Sequence, residues 1–179
     1  MGGRSIWLKK GLDRLRRFSS RAFLAIAVAM SIGAAQQSVD RERAAFLKVH
    51  NDARAEVGIA PLQWNDKLAA FAQEWANEIA RSGKFEHRPN NRYGENLAGY
   101  TADESPAYGA RLWLDEKKDY HGEKIGGGNF KKVGHYTQMV WGKTTHVGYG
   151  VARMRNGMWV LVANYEPPGN MQGEHPYRR

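Results

Sequence analysis

The chain has 179 residues, 42% hydrophobic and 25% charged, with a formal charge of +9 and no cysteine. That length fits one domain better than two, and the apolar and charged fractions exclude a fully disordered or fibrous chain. The lack of cysteine excludes a disulfide framework, a thiolate zinc site, an iron–sulfur cluster and a cysteine nucleophile, so any metal must be held by His and carboxylates.

The charge is concentrated at the start. Arg4, Lys9, Lys10, Arg14, Arg16, Arg17 and Arg21 stand against Asp13 alone in the first 21 residues, a net +6, leaving +3 for the rest. With that segment set aside the chain is only mildly basic, and no nucleic-acid partner is expected. An apolar run follows, Ala22 to Met30, and then the small-residue stretch Ser31-Ile-Gly-Ala-Ala35. Positive segment, short apolar stretch and small-residue site together predict a secretory signal peptide over 1–35, cut after Ala35 with Gly33 at the −3 position. The run is short for a transmembrane span, which needs about 20 residues. Two alternatives stay open: retention of the segment as an uncleaved anchor, and twin-arginine export through Arg16-Arg17, which Phe18-Ser19 fits poorly. Either way residues 36–179 form one domain expected to work outside the cytoplasm, secreted or periplasmic, with no transmembrane span in the mature chain. The absence of disulfides favours a bacterial envelope over an animal secretion.

The spacing of Phe46, Leu47, Val49, Ala53 and Val57 predicts a helix over 38–58, stopped by Gly58. Asn65 or Asp66 caps a second helix whose Leu68, Phe71, Ala72, Trp75 and Ile79 share one face, and Gly83 ends it. Residues 84–103, rich in Asn, Gly and Pro, read as a loop. Ser105-Pro106 opens a helix running to about Lys118, and Gly126-Gly127-Gly128 reads as a flexible loop. Val147–Arg153 and Met158–Tyr165 read as strands joined by the tight-turn pair Asn156-Gly157. Helices first and an antiparallel pair last make an α+β protein with helices packed on a sheet.

No GxSxG, HExxH, P-loop or dinucleotide-binding glycine pattern is present. The six histidines are therefore the place to look. His87 precedes a polar loop that ends in Glu95, and His135 sits between Gly134 and an aromatic segment. Glu116 follows Trp113 by three residues and so lies on the apolar side of its helix. A carboxylate there is costly without a partner or a cleft edge beside it. Two imidazoles and two carboxylates form a candidate site for a divalent ion. His121, His146 and His175 read as surface residues.

Four ordered segments carry a resemblance. His50-Asn51-Asp52-Ala53-Arg54, Gly94-Glu95-Asn96-Leu97, Gly134-His135-Tyr136-Thr137-Gln138-Met139-Val140-Trp141 and Leu161-Val162-Ala163-Asn164-Tyr165-Glu166-Pro167-Pro168-Gly169-Asn170 resemble the signature motifs of the CAP superfamily. This is the SCP-domain family of cysteine-rich secretory, antigen five and pathogenesis-related proteins. The likeness runs from about Ala44 to Asn170. It implies a three-layer α-β-α sandwich with an antiparallel sheet and a cleft tetrad of His87, Glu95, Glu116 and His135. The two histidines would hold Zn2+ or another divalent cation. Ala163 stands where many members have Cys, and the cysteine-rich hinge of the venom and sperm proteins is missing, so their roles do not transfer.

Besides a purely structural envelope protein whose tetrad is an internal polar network, two function classes follow. One is a binding module that takes a metal and a small ligand, sterol- or lipid-like by resemblance, or an extracellular partner, with no turnover. The other is a metal-dependent, protease-like hydrolase in which Glu95 or Glu116 is the general base. His50 and Arg54 read as structural ties, and Tyr136, Met139 and Trp141 as core.

Overall fold

In the computed structural model of the protein the described residues are 4–101, 105–126 and 128–178, with side chains described from Met30 onward. The chain divides into two compact units, one running to Arg41 and the other spanning Glu42–Arg179. Helix α1 (Arg4–Glu56) starts well before the expected Ser38. In the second unit its buried residues are Phe46, His50, Ala53 and Arg54, one face at helical spacing. Gly58 follows in the left-handed region at φ 72°, where a glycine is free of the Cβ penalty. Among the described residues no helix is long and apolar enough to cross a membrane.

Four strands make one sheet in the order β1-β3-β4-β2. They are β1 (Gln63–Trp64), β2 (Gly94–Tyr100), β3 (His146–Arg153) and β4 (Trp159–Glu166). The β2–β4 and β3–β4 pairs are antiparallel, from Gly94↔Tyr165 to Tyr100↔Trp159 and from His146↔Glu166 to Arg153↔Trp159. The two residues of β1 add a short parallel edge. Both faces of β4 are buried, and alternate residues serve different layers. Val160 and Val162 pack with Ala72, Ala76 and Ile79 of α2 (Asp66–Ser82), whereas Leu161, Ala163 and Tyr165 pack with Phe46, Trp113, Tyr136 and Met139 on the other side. The outcome is the three-layer α-β-α sandwich expected.

Helix α2 forms as its caps require. Asn65 Oδ1 accepts from the amides of Lys67 and Leu68, and the Gly83 amide donates to the Ile79 carbonyl from a left-handed φ of 78°. It lies almost on the backbone of β3. A Cβ on Gly148 would sit 2.3 Å from Ala69 N, and one on Gly150 would sit 2.2 Å from Gln73 Cα. The Gln73 side chain accepts from Val151 N and donates to Val151 O, completing hydrogen bonds that the short β1 leaves open.

Two expectations are corrected. The stretch 84–103 contains strand β2, although its sequence Gly-Glu-Asn-Leu-Ala-Gly-Tyr is poor in β-branched residues; seven paired positions along β4 and the buried faces of Leu97, Ala98 and Tyr100 supply what propensity does not. Helix α3 (Pro106–Leu114) stops short of Lys118 and continues as a 3₁₀ turn over Asp115–Asp119. Its start is as expected, with Ser105 Oγ accepting from Ala107 N and Pro106 at the first position. Of the triple glycine, Gly127 lies outside the described residues.

Candidate functional site

Two imidazole–carboxylate pairs stand at the positions the sequence singled out. His87 Nδ1 lies 2.8 Å from Glu95 Oε1, and His135 Nδ1 lies 2.6 Å from Glu116 Oε1. In the first pair the imidazole is 64% exposed and the carboxylate only 5%; in the second the figures are 35% and 20%. Each carboxylate is thus the inner member and each imidazole the outer one.

The carboxylates are held by further donors. Glu95 Oε1 also accepts from Arg88 N at 2.9 Å, while Oε2 accepts from Asn91 Nδ2 at 3.0 Å and Asn164 Nδ2 at 3.5 Å. Glu116 Oε2 accepts from the amides of His135 at 2.9 Å and Tyr136 at 3.0 Å. The 3₁₀ turn matters here: it sets Glu116 over the backbone of α4 (Phe130–Met139), which carries His135. Trp113 stacks on the His135 ring, centroids 6.2 Å apart and planes 15° from parallel. The hydrogen bond that His87 donates to Glu95 raises the His87 pKa, outweighing the opposing effect of burial.

Beneath His135 runs a buried polar chain. Asn96 Nδ2 donates to the His135 carbonyl at 3.0 Å and to Tyr165 Oη at 3.2 Å. Tyr165 Oη lies 2.9 Å from His50 Nε2, and His50 Nδ1 lies 3.0 Å from the Phe46 carbonyl. A carbonyl only accepts, so His50 carries its proton on Nδ1 and its Nε2 accepts from the tyrosine hydroxyl. Burial lowers the His50 pKa to about 4 and raises that of Tyr165 well above its ordinary value, so both are neutral. Arg54 is the second expected tie. It donates to the carbonyls of Ala60, Met139, Trp141 and Thr144 at 2.7–3.0 Å, and burial lowers its pKa to about 10.

The segment around His135 is locked to the closing motif as well. Gln138 Oε1 accepts from Gly169 N, and Asn170 takes the Thr137 hydroxyl on Oδ1 while donating from Nδ2 to the Gly134 carbonyl. Tyr136, Met139 and Trp141 are buried as expected. His121 and His175 are exposed and His146 half-buried, none of them in this site.

The cysteine-rich secretory protein (CAP) family model matches residues 47–165. The chain belongs to this family. It is 41% identical over 133 residues to pathogenesis-related protein 1A of Nicotiana tabacum, covering 74% of this chain and 79% of that protein. It is 42% identical over 135 residues to pathogenesis-related leaf protein 4 of Solanum lycopersicum, covering 74% and 81%. Among solved structures, the crystal structure of NaASP2 with Zn2+ matches at a TM-score of 0.67 and 27% identity, covering 76% of this chain and 85% of that one. This CAP chain differs from the family's name in having no cysteine at all.

Among the described residues no three His, Asp or Glu side chains gather as a ligand set for a metal ion. The donor chemistry nevertheless suits a two-imidazole site. With each carboxylate ionised, Nδ1–H donates to it, and Nε2 of His87 and of His135 is left as a lone-pair donor. The His87–Glu95 and His135–Glu116 pairs involve residues singled out from the sequence, whereas the groups that hold them, Arg88, Asn91, Asn164 and the stacked Trp113, were not. Asn96, Asn164 and Tyr165 sit inside the family motifs, which was the one signal available for them.

Proposed function

We propose that this CAP protein is exported and works as a binding module, with His87 and His135 holding a divalent cation such as Zn2+. The bound cation and the residues around it would receive a small ligand, lipid- or sterol-like by family resemblance, or an extracellular partner. The observation that carries this reading is how the two carboxylates are used: each orients an imidazole through Nδ1 and is itself held by backbone amides or by the side-chain amides of Asn91 and Asn164, and the imidazoles are the more exposed members, with no partner for Nε2 among the described residues. A bound cation would supply charge and a coordination position for an oxygen-bearing ligand. Two protein ligands leave the remaining positions to water or to that ligand.

The same bonding counts against a hydrolase. A general base needs a free lone pair within reach of water or substrate, and the oxygens of Glu95 and Glu116 already accept several donors. The basic, apolar and small-residue order of the first 35 residues supports export.

Zinc titration calorimetry on the purified protein, with His87→Ala and His135→Ala alongside, tests the reading. Saturable binding in the parent and loss in both variants is the expected result. No binding by a folded parent overturns the metal site. Turnover on a peptide or ester panel that Glu95→Gln abolishes while zinc affinity is kept overturns the binding-module reading.

A further inference from the structure

A second site stands apart from the tetrad. A pocket of about 900 Å³ opens where the end of the chain packs beside the loop after α1, and none of His87, Glu95, Glu116 or His135 lines it. Its volume is within the range of roughly 300–1,000 Å³ usual for small-molecule sites. Tyr120 and Tyr177 line it with their rings in contact, and Lys124, His175 and Arg178 line it too.

The cations here are not spent within the protein. Lys143 is paired with Glu174 at 2.8 Å and adds no net charge. Lys124, His175 and Arg178 have no described ion-pair or hydrogen-bonding partner for their side chains, and all three are exposed. The wall that carries them is fixed by backbone bonds: Gly142 N to Pro176 O at 2.7 Å, Ile125 N to Glu174 O at 2.9 Å and Gly173 N to Ile125 O at 2.8 Å. The pocket is therefore formed before any ligand arrives.

The two tyrosines narrow the ligand class. Both are half-buried, and their rings meet edge to face, centroids 6.1 Å apart and planes 64° from parallel. That is no slot for a flat base between parallel rings. It presents tilted apolar ring faces, which suit the C–H face of a sugar, while the hydroxyls are held within the protein, Tyr120 Oη donating to the Glu123 carbonyl and Tyr177 bonded to Tyr136. A lipid fits worse, because none of the large exposed hydrophobic residues (Phe85, Leu112, Phe130 and Met171 among them) lines this pocket.

We propose that this pocket binds a short acidic oligosaccharide, its carboxylate or sulfate groups held by Lys124 and Arg178 and a sugar ring packed on Tyr120 and Tyr177. Calorimetry on the purified protein with a uronic-acid trisaccharide, a sulfated trisaccharide and a neutral trisaccharide, each with EDTA present, tests it. One-to-one binding of either charged sugar and none of the neutral one is expected, and the tighter of the two names the anion. Lys124→Ala/Arg178→Ala should weaken binding about tenfold or more, since each charged hydrogen bond lost is worth a factor of that order. Tyr177→Ala should weaken it with no change of charge. Lys67→Ala/Lys84→Ala removes the same charge from exposed positions on and just after α2 and should leave affinity within about twofold. Absence of binding by the folded parent, equal binding of the neutral sugar, or an equal loss in the two lysine-bearing double variants overturns the proposal. Loss of binding in His87→Ala would place the sugar at the tetrad and overturn it too.

Discussion

His50 shows how burial sets a side chain's charge. The ring is fully enclosed between the Phe46 carbonyl and the Tyr165 hydroxyl, and its pKa falls from 6.5 to about 4 because burial disfavours an imidazolium and the nearby Arg54 guanidinium repels it, outweighing the bond to the Phe46 carbonyl. The unfolded chain takes up this proton near pH 6.5, and the folded one only near pH 4. Between those values the unfolded state binds more protons, so stability is full above pH 6.5 and is lost as pH falls. The loss reaches on the order of 3 kcal/mol by pH 4. Urea unfolding at pH 7.5, 6, 5 and 4 should show this slope, and His50→Gln, which cannot ionise, should show one proton less in its linkage across the window. An identical slope in the two proteins would show that His50 is not the group responsible. Tyr165→Phe removes the hydroxyl that His50 Nε2 and Asn96 Nδ2 both use and should cost about 1–3 kcal/mol. The residue scale is also where the sequence was most informative about identity and least about role. The motif around His50 and Arg54 can be read as structural from its place on a helix. Of the four backbone carbonyls that Arg54 closes, only that of Ala60 is local; those of Met139, Trp141 and Thr144 lie more than 80 residues away and have no local signal.

At the scale of elements, legibility followed how local the cause was. Helix α2 could be read almost to the residue because its caps and its apolar face all lie within its own sequence. Asn65→Ala should remove the acceptor of two amides and cost about 1 kcal/mol in thermal or chemical unfolding. Strand β2 was hidden because its stability resides in β4 and in Trp113, whose indole donates to the Leu97 carbonyl across a buried contact. The glycines of β3 are another long-range effect. In sequence Gly148 and Gly150 weaken a strand; in the fold they let α2 approach the sheet. Gly150→Ala should destabilise by at least about 1–3 kcal/mol, because Gln73 Cα is backbone and cannot swing away. Gly128→Ala, with open space around its Cβ position and no left-handed φ, should be close to neutral. Equal melting temperatures for the two variants would mean that α2 can slide outward without cost.

For the whole molecule, the question is what stabilises a sandwich of this family once its disulfides are gone. The chain answers with buried polar ties that join distant segments. Arg54 fastens α1 to the end of α4, the Asn96–Tyr165–His50 chain joins sheet to helix, and Gln138 with Asn170 fastens α4 to the stretch after β4. Several of these converge on the backbone around His135, so the candidate site and the core share supports. A cation held by His87 and His135 would then stabilise the native state by mass action. At a free concentration a hundredfold above Kd the gain is about 2.7 kcal/mol, or roughly 5–10 °C in melting temperature for a domain of this size. Melting the protein with and without Zn2+ should show that rise in the parent and none in His87→Ala, whose exposed imidazole can be removed without opening the core. A zinc-dependent rise that survives in His87→Ala would move the metal to other ligands, and the two imidazole–carboxylate pairs would then be polar supports of the fold alone.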